Sequence, residues 1–209
     1  ASLRPSQAAD LQGADAVFWI GEELETFLVK PLAALPASAR VVALAEAPGV
    51  MLLVSREGGA WPDSHHDAEP KRHGHDGDDH DHDANSGMSD DTVNAAHTAG
   101  DGHGHGAHDL HIWLDPRNAM AMTDAIAHTL AAIDPERAST YATNAADLVQ
   151  QIEALDGDLR AQLAKVSGRP YIVFHDAYHY LEARYGLSPA GAITISPDRA
   201  PGAQSLAAI

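Results

Sequence analysis

Thirty acidic residues against thirteen basic ones in a chain of 209 give a net charge of −17 with the histidines neutral, a surface that repels nucleic acid and anionic lipid and attracts cations. There is no cysteine, which excludes thiolate metal sites and thiol chemistry, and no stretch of 18 apolar residues to span a membrane. With 44% hydrophobic residues, the length suits one large domain or two small ones.

The opening ASLRPSQAAD lacks the basic start and apolar run of a signal peptide, though a mature exported chain would read the same way. Ser6 is placed to cap a short helix that ends near Gly13. AVFWI (16–20) reads as a buried strand, residues 22–28 as one or two helical turns halted before Pro31, and RVVAL (40–44) and VMLLV (50–54) as further strands. Short apolar runs alternating with short helices indicate α/β units with a parallel sheet.

The character changes over residues 61–109. Histidines stand at His65, His66, His73, His75, His80, His82, His97, His103, His105 and His108, with twelve acidic residues against Lys71 and Arg72. Such a segment cannot bury enough apolar surface to offset its ordering entropy and is predicted to be a disordered loop inserted in a domain. Loops of this length are usually functional or disordered. Neutral imidazole offers a lone pair that suits zinc, and His-x-His pairs recur at 73/75, 80/82 and 103/105. With no rigid geometry to choose the ion, these histidines are expected to bind several zinc ions weakly, and copper, nickel and cobalt as well. The plainer alternatives are a charged solubilising spacer or an added tag; the internal position and the irregular mixing with Asp argue against a tag.

Order returns at Leu110. HIWLD (111–115) reads as a strand or extended segment. Asp115 and Pro116 then start a helix as cap and first residue, with Ala119, Met122, Ile126, Leu130 and Ile133 recurring every three or four positions. Asp134-Pro135 repeats the signal for a helix running to about Val166. Gly157 is its weak point, at a cost of ~1 kcal/mol relative to Ala. Unbroken, it would be roughly 45 Å long at 1.5 Å per residue, which suits a strut between two lobes. After Gly168-Arg169-Pro170 come a strand YIVF (171–174), a helix AYHYLEARYG ending at Gly186, a strand AITIS (192–196) and a helix opening at Pro201-Gly202. Two strands make a small second lobe, minimal or incomplete.

Outside the loop, two histidines stand where chemistry gathers. His175 follows a strand directly, and ligands of open α/β sheets collect outside the carboxyl ends of strands. His111 lies where order resumes, as the last of the loop cluster or as a fixed ligand at a lobe's mouth. Each competes with a purely structural role. Asp176 could orient an imidazole or cap the helix after it. His179 would share a face with His175 only if both lay on one helix. His128 reads as solvated surface; Glu22, Glu23 and Glu25, following a buried strand and a Gly, read as solvated surface ahead of the alternative that one of them lines a cleft. Metalloprotease, dinucleotide, phosphate-loop and nucleophile-elbow motifs are all missing, so the chain is not expected to be an enzyme.

Taken together, SLRPSQAADLQGADAVFWIGEELETFL, the acidic His-rich loop, HIWLDPRNAMAMTDAIA, DPERASTYATNAADL, RPYIVFHDAYHYLEARYGL and ISPDRAPGAQSL resemble, in order and over essentially the whole chain, the periplasmic zinc-binding (substrate-binding) proteins of bacterial ABC zinc-uptake transporters. The resemblance implies an α/β fold of two lobes joined by a long linking helix: an N-terminal lobe over 1–134 carrying the disordered loop 61–109, the helix over 135–166, and a partial C-terminal lobe over 167–209. It implies that His111 and His175 are the first-lobe and second-lobe Zn2+ ligands. Manganese-type relatives carry Glu at the position of His175. The family has a further histidine just ahead of the segment matched here, and a second lobe that continues past Ile209, so the chain reads as a shortened form with an incomplete site. The function implied is zinc capture in the periplasm by a monomer, with delivery to the membrane permease of an ABC importer and a periplasmic metallochaperone as a further partner. The loop would serve as an auxiliary metal-binding or sensing segment, with no role in nucleic acid binding or membrane insertion. A metal buffer or surface-attached, adhesin-like protein of the same fold is the competing reading.

Overall fold

The structure is a computed structural model and describes residues 3–56, 59–61 and 108–194. These belong to one compact unit, Ala1–Asp63 with Gly106–Ile209; the other unit, Ser64–His105, lies outside the described residues. So does most of the predicted loop, as do residues 195–196 of the last predicted strand and the helix opening at 201–202.

Helix α1 (Pro5–Gln12) starts two residues earlier than a Ser6 cap would place it. Pro5 takes the first helical position, where its missing N–H costs nothing, and the Gln7 side chain accepts from the Arg4 amide at 2.9 Å. Strand β1 (Ala16–Trp19) pairs in parallel with β2 (Arg40–Ala43). Between them the expected turns at 22–28 shift toward the C-terminus, into a 3-10 turn (Thr26–Leu28) and α2 (Val29–Ala33). Pro31 sits inside α2 rather than beyond the helical turns. It is tolerated because the first amides of a helix have no helical acceptor to lose.

Two predicted strands are corrected. In VMLLV only β3 (Leu53–Val54) is a strand, antiparallel to β5 (His108–Asp109), and HIWLD folds instead into a 3-10 turn (Ile112–Leu114). One side chain accounts for both. Asn118, fully buried, accepts from the Met51 amide (2.8 Å) and donates to the carbonyls of Met51 (3.0 Å) and Ile112 (3.2 Å). Three of the polar groups of this backbone are therefore satisfied by an amide side chain in place of a ladder.

The Asp115 carboxylate accepts from the Arg117 amide and caps α3 (Pro116–Ile133). A 3-10 turn, Pro135–Arg137, leads into α4 (Ala138–Leu163), which packs along α3. The helix predicted over 135–166 is thus 26 residues long, about 39 Å at 1.5 Å per residue. Gly157 does not break it and faces open space. Among the described residues no helix is long and apolar enough to cross a membrane.

Beyond α4 lie β6 (Pro170–His175), α5 (His179–Tyr185) and β7 (Ser188–Thr194), with β6 parallel to β7. Strand β7 starts earlier than AITIS predicts and takes in Pro189, tolerated at a register shift between Tyr171 and Ile172. A strand from the N-terminal part, β4 (Gly59–Ala60), pairs antiparallel with β7 to give the order β4-β7-β6. The main core is also shared between the two parts of the chain. Tyr180 of α5 packs with Leu44, Ile112 and Met122, surrounded by Phe18, Val42 and Ile126.

Asp156 ties α4 to α5. It accepts from Arg184 (3.1 and 2.5 Å) and from the Tyr185 hydroxyl (2.9 Å). The Arg184 hydrogen bonds, aided by that of Tyr185 and the nearby charges, hold its pKa at about 2 against the opposing effect of burial. A folded pKa below the unfolded value of 3.8 gives stability that is present above about pH 4 and lost as pH falls through about 2. The Asp156→Asn variant is therefore expected to show a shallower loss of stability over that window than the parent, read as denaturation midpoint against pH.

Candidate functional site

His175 is the last residue of β6, in register with Thr194, and His111 immediately follows the β5–Leu110 segment. The fold brings their rings together, with centroids 5.1 Å apart and planes at 74°. His111 also lies 5.5 Å from the Trp113 ring. Its Nδ1 is 2.6 Å from Asp109 Oδ1, and the same oxygen accepts the His111 backbone amide at 3.0 Å. With Nδ1 held by a carboxylate, Nε2 is the nitrogen left for a metal, and the ring is fixed in orientation. Sequence reasoning missed Asp109, grouping it with the loop. The signal was its spacing of two from His111, which on an extended backbone puts both side chains on one face.

Asp109 is in turn held from α5. The Tyr180 hydroxyl donates to the Asp109 carbonyl (2.5 Å) and accepts from the Leu53 amide (2.9 Å). Burial raises the tyrosine's pKa, so the hydroxyl keeps its proton. This one oxygen links β3, β5 and α5.

Asp176 does not cap the helix after it. Helix α5 begins at His179 with no side-chain cap, and the Asp176 carboxylate instead receives a two-point hydrogen bond from Arg56, whose Nη2 also lies 2.7 Å from Glu182 Oε2. Burial opposes the guanidinium's charge, but the hydrogen bonds and attraction of Asp176 and Glu182 prevail and raise its pKa. Nothing in the sequence pairs these residues, which stand 120 positions apart.

The remaining candidates scatter. His179 starts α5 while His175 ends β6, so the two do not share a helix. The His179 Nδ1 is 4.0 Å from Asp109 Oδ2 and has no hydrogen-bond partner among the described residues. Burial, then the Arg56 charge, lowers its pKa. His108 is not in a loop: it is an exposed residue of β5 opposite Val54, because the ladder with β3 reaches one residue past Asp109. His65, His66, His73, His75, His80, His82, His97, His103 and His105 lie outside the described residues. His128 is exposed on α3. Glu25 folds back to accept the Ile20 amide at 2.6 Å, whereas Glu23 lines a small cleft of about 130 Å³ with Ser55, Arg56, His108, Asp109, His111 and Asp176.

Among the described residues no three His, Asp or Glu side chains converge on one point as a complete metal site. What the fold brings together is a pair of imidazoles, His111 on the cleft and His175 next to it, the first oriented by a carboxylate. That arrangement can supply two nitrogen donors to an ion such as zinc, leaving its other positions to water or further residues.

The family model described as zinc-uptake complex component A, periplasmic, matches residues 1–209. The chain is 44% identical over 205 residues to the high-affinity zinc uptake system protein ZnuA of Brucella abortus (strain 2308), covering 97% of this chain and 59% of that protein. In structure it resembles ZnuA, with a TM-score of 0.67 at 24% identity over 98% of this chain and 61% of the other. It also resembles the periplasmic zinc-binding protein TroA from Treponema pallidum, with a TM-score of 0.65 at 18% identity over 99% of this chain and 58% of the other. These structural likenesses give the fold, two α/β lobes with a long linking helix. The chain spans about three-fifths of the length of these relatives.

The Tyr180→Phe variant removes the hydroxyl and leaves the Leu53 amide and the Asp109 carbonyl short of a buried partner. A loss of about 1–3 kcal/mol in unfolding free energy is expected, measured by chemical denaturation. A change within error would show that the bridge contributes nothing to holding the lobes.

Proposed function

This chain belongs to the periplasmic zinc-uptake complex component A family, and on that premise we propose that it captures zinc in the periplasm and hands it to the membrane permease of an ABC importer. The observation that carries this reading is the meeting of His111 and His175 with ring centroids 5.1 Å apart. Zinc is the cargo, not a catalytic ion, and the protein acts by binding and release without turnover. His111 and His175 are its fixed ligands. Nitrogen donors favour zinc over oxygen-preferring ions such as manganese, and Asp109 strengthens His111 as a donor by holding its Nδ1.

The domain plan that follows is a first lobe over 1–134, a linking helix over 135–166 and a second lobe over 167–209. The long helix, the Tyr180 bridge and the β4–β7 pairing limit lobe movement to small adjustments. The histidines of the loop act as an auxiliary, weak and plural metal-binding segment. His108, fixed in β5, is better grouped with the cleft it lines than with that segment. The protein works as a monomer, with a periplasmic metallochaperone as a further partner, and acid releases the metal because protons compete for the imidazoles.

Zinc titration calorimetry tests the assignment on the parent chain, on a chain lacking residues 65–105, and on each with His175→Ala. Loop deletion is expected to remove several weak equivalents and to leave one tighter event, which His175→Ala then abolishes. Asp109→Asn is expected to weaken the tighter event about 10- to 100-fold. If loop deletion removed all zinc binding, the fixed site would be wrong.

A further inference from the structure

The cleft holds more carboxylate than a nitrogen-coordinated ion needs. Glu23, Asp109 and Asp176 line it, and Glu182 meets the same guanidinium as Asp176. Asp109 is committed to His111. Asp176 and Glu182 are buried, at 7% and 2% exposure, and both are committed to Arg56. The Arg56 Nε donates to Asp176 Oδ2 at 3.2 Å, Nη2 donates to Asp176 Oδ1, and Nη2 pairs with Glu182 Oε2 at 2.7 Å. The Tyr171 hydroxyl donates to the other Glu182 oxygen at 2.9 Å. The guanidinium is packed on the Trp61 ring, 3.9 Å from its centroid.

Two carboxylates sequestered from water need a cation, and one at the edge of a metal cleft would take it from solution if the protein supplied none. Their oxygens would favour hard ions such as Mn2+, whereas imidazoles suit zinc. We propose that Arg56 is a specificity-determining residue: by occupying Asp176 and Glu182 it withholds them from the incoming ion and leaves the two imidazoles as the donors. The inference rests on the reading that His111 and His175 hold the zinc. Only a planar fork can give Asp176 two hydrogen bonds while its charge also pairs with Glu182, so lysine is no equivalent here.

The test compares Zn2+ and Mn2+ affinities of the parent, Arg56→Met and Arg56→Lys by competition titration, counting only the binding lost with His175→Ala. In Arg56→Met the Zn2+:Mn2+ affinity ratio is expected to fall about tenfold or more, chiefly by a gain in Mn2+ binding. Arg56→Lys keeps the charge but cannot hold both acids as a fork. It is expected to lower the ratio by a smaller factor, and it decides the matter if Arg56→Met fails to fold. A ratio unchanged in the folded variants, or both affinities falling in parallel as a merely structural role would produce, overturns the inference alone. Parent zinc binding that ignores His175→Ala overturns the site reading, and the inference with it.

Discussion

The hydroxyl of Tyr180 sits in a core cluster with Leu44, Ile112 and Met122, although its helix comes much later in the chain. A buried hydroxyl is costly unless its hydrogen bonds are made, and here both are, to the Leu53 amide and the Asp109 carbonyl. The partners fix the register between the lobes, because only one placement of α5 brings this oxygen between β3 and β5. Two consequences follow for the site. The residue it grips at the backbone, Asp109, is the one whose carboxylate orients His111. The helix that carries it starts four residues after His175, so the approach of the two imidazoles is set by the same contact.

Charge acts at two levels in this protein. The excess of acidic residues raises the local cation concentration without choosing among cations. Selection must come from the donors at the site, and there three acids are already held: Asp109 by an imidazole, Asp176 and Glu182 by Arg56. Attraction belongs to the surface and discrimination to the site. A purely acidic cleft would have merged the two and favoured the commonest hard ions.

Much of this was legible in the residues, and what was missed has a common cause. The two Asp-Pro starts and the three-to-four spacing of apolar residues located α3 and α4 within a few residues, since capping and helical periodicity are local. His175 at a strand end and His111 at the return of order were readable for the same reason. VMLLV and HIWLD were misread because Asn118, 67 positions from Met51, meets the backbone groups that a strand would have paired. Arg56, Tyr180 and β4 were invisible as site elements because each acts through a partner more than 70 residues away. Asp109 lay within reach of a local argument and was lost only because the acidic composition around it suggested a loop.

The contacts that cross between the lobes also rank by what it would cost to part them. The β4–β7 ladder and the Tyr180 bridge lie in backbone hydrogen bonds and core packing, which break only with local unfolding. Arg56 is different. It keeps 19% of its side chain exposed, so water can follow it out and replace its hydrogen bonds. Separating it strands Asp176 and Glu182 without their cation, a penalty that falls away if protons or a new cation reach them. The early and late parts of the chain are therefore held together most firmly at the core and least firmly beside the cleft. Small movements at the mouth are affordable while the imidazole pair stays in register, whereas wide opening would require the tyrosine to leave a core it helps to build.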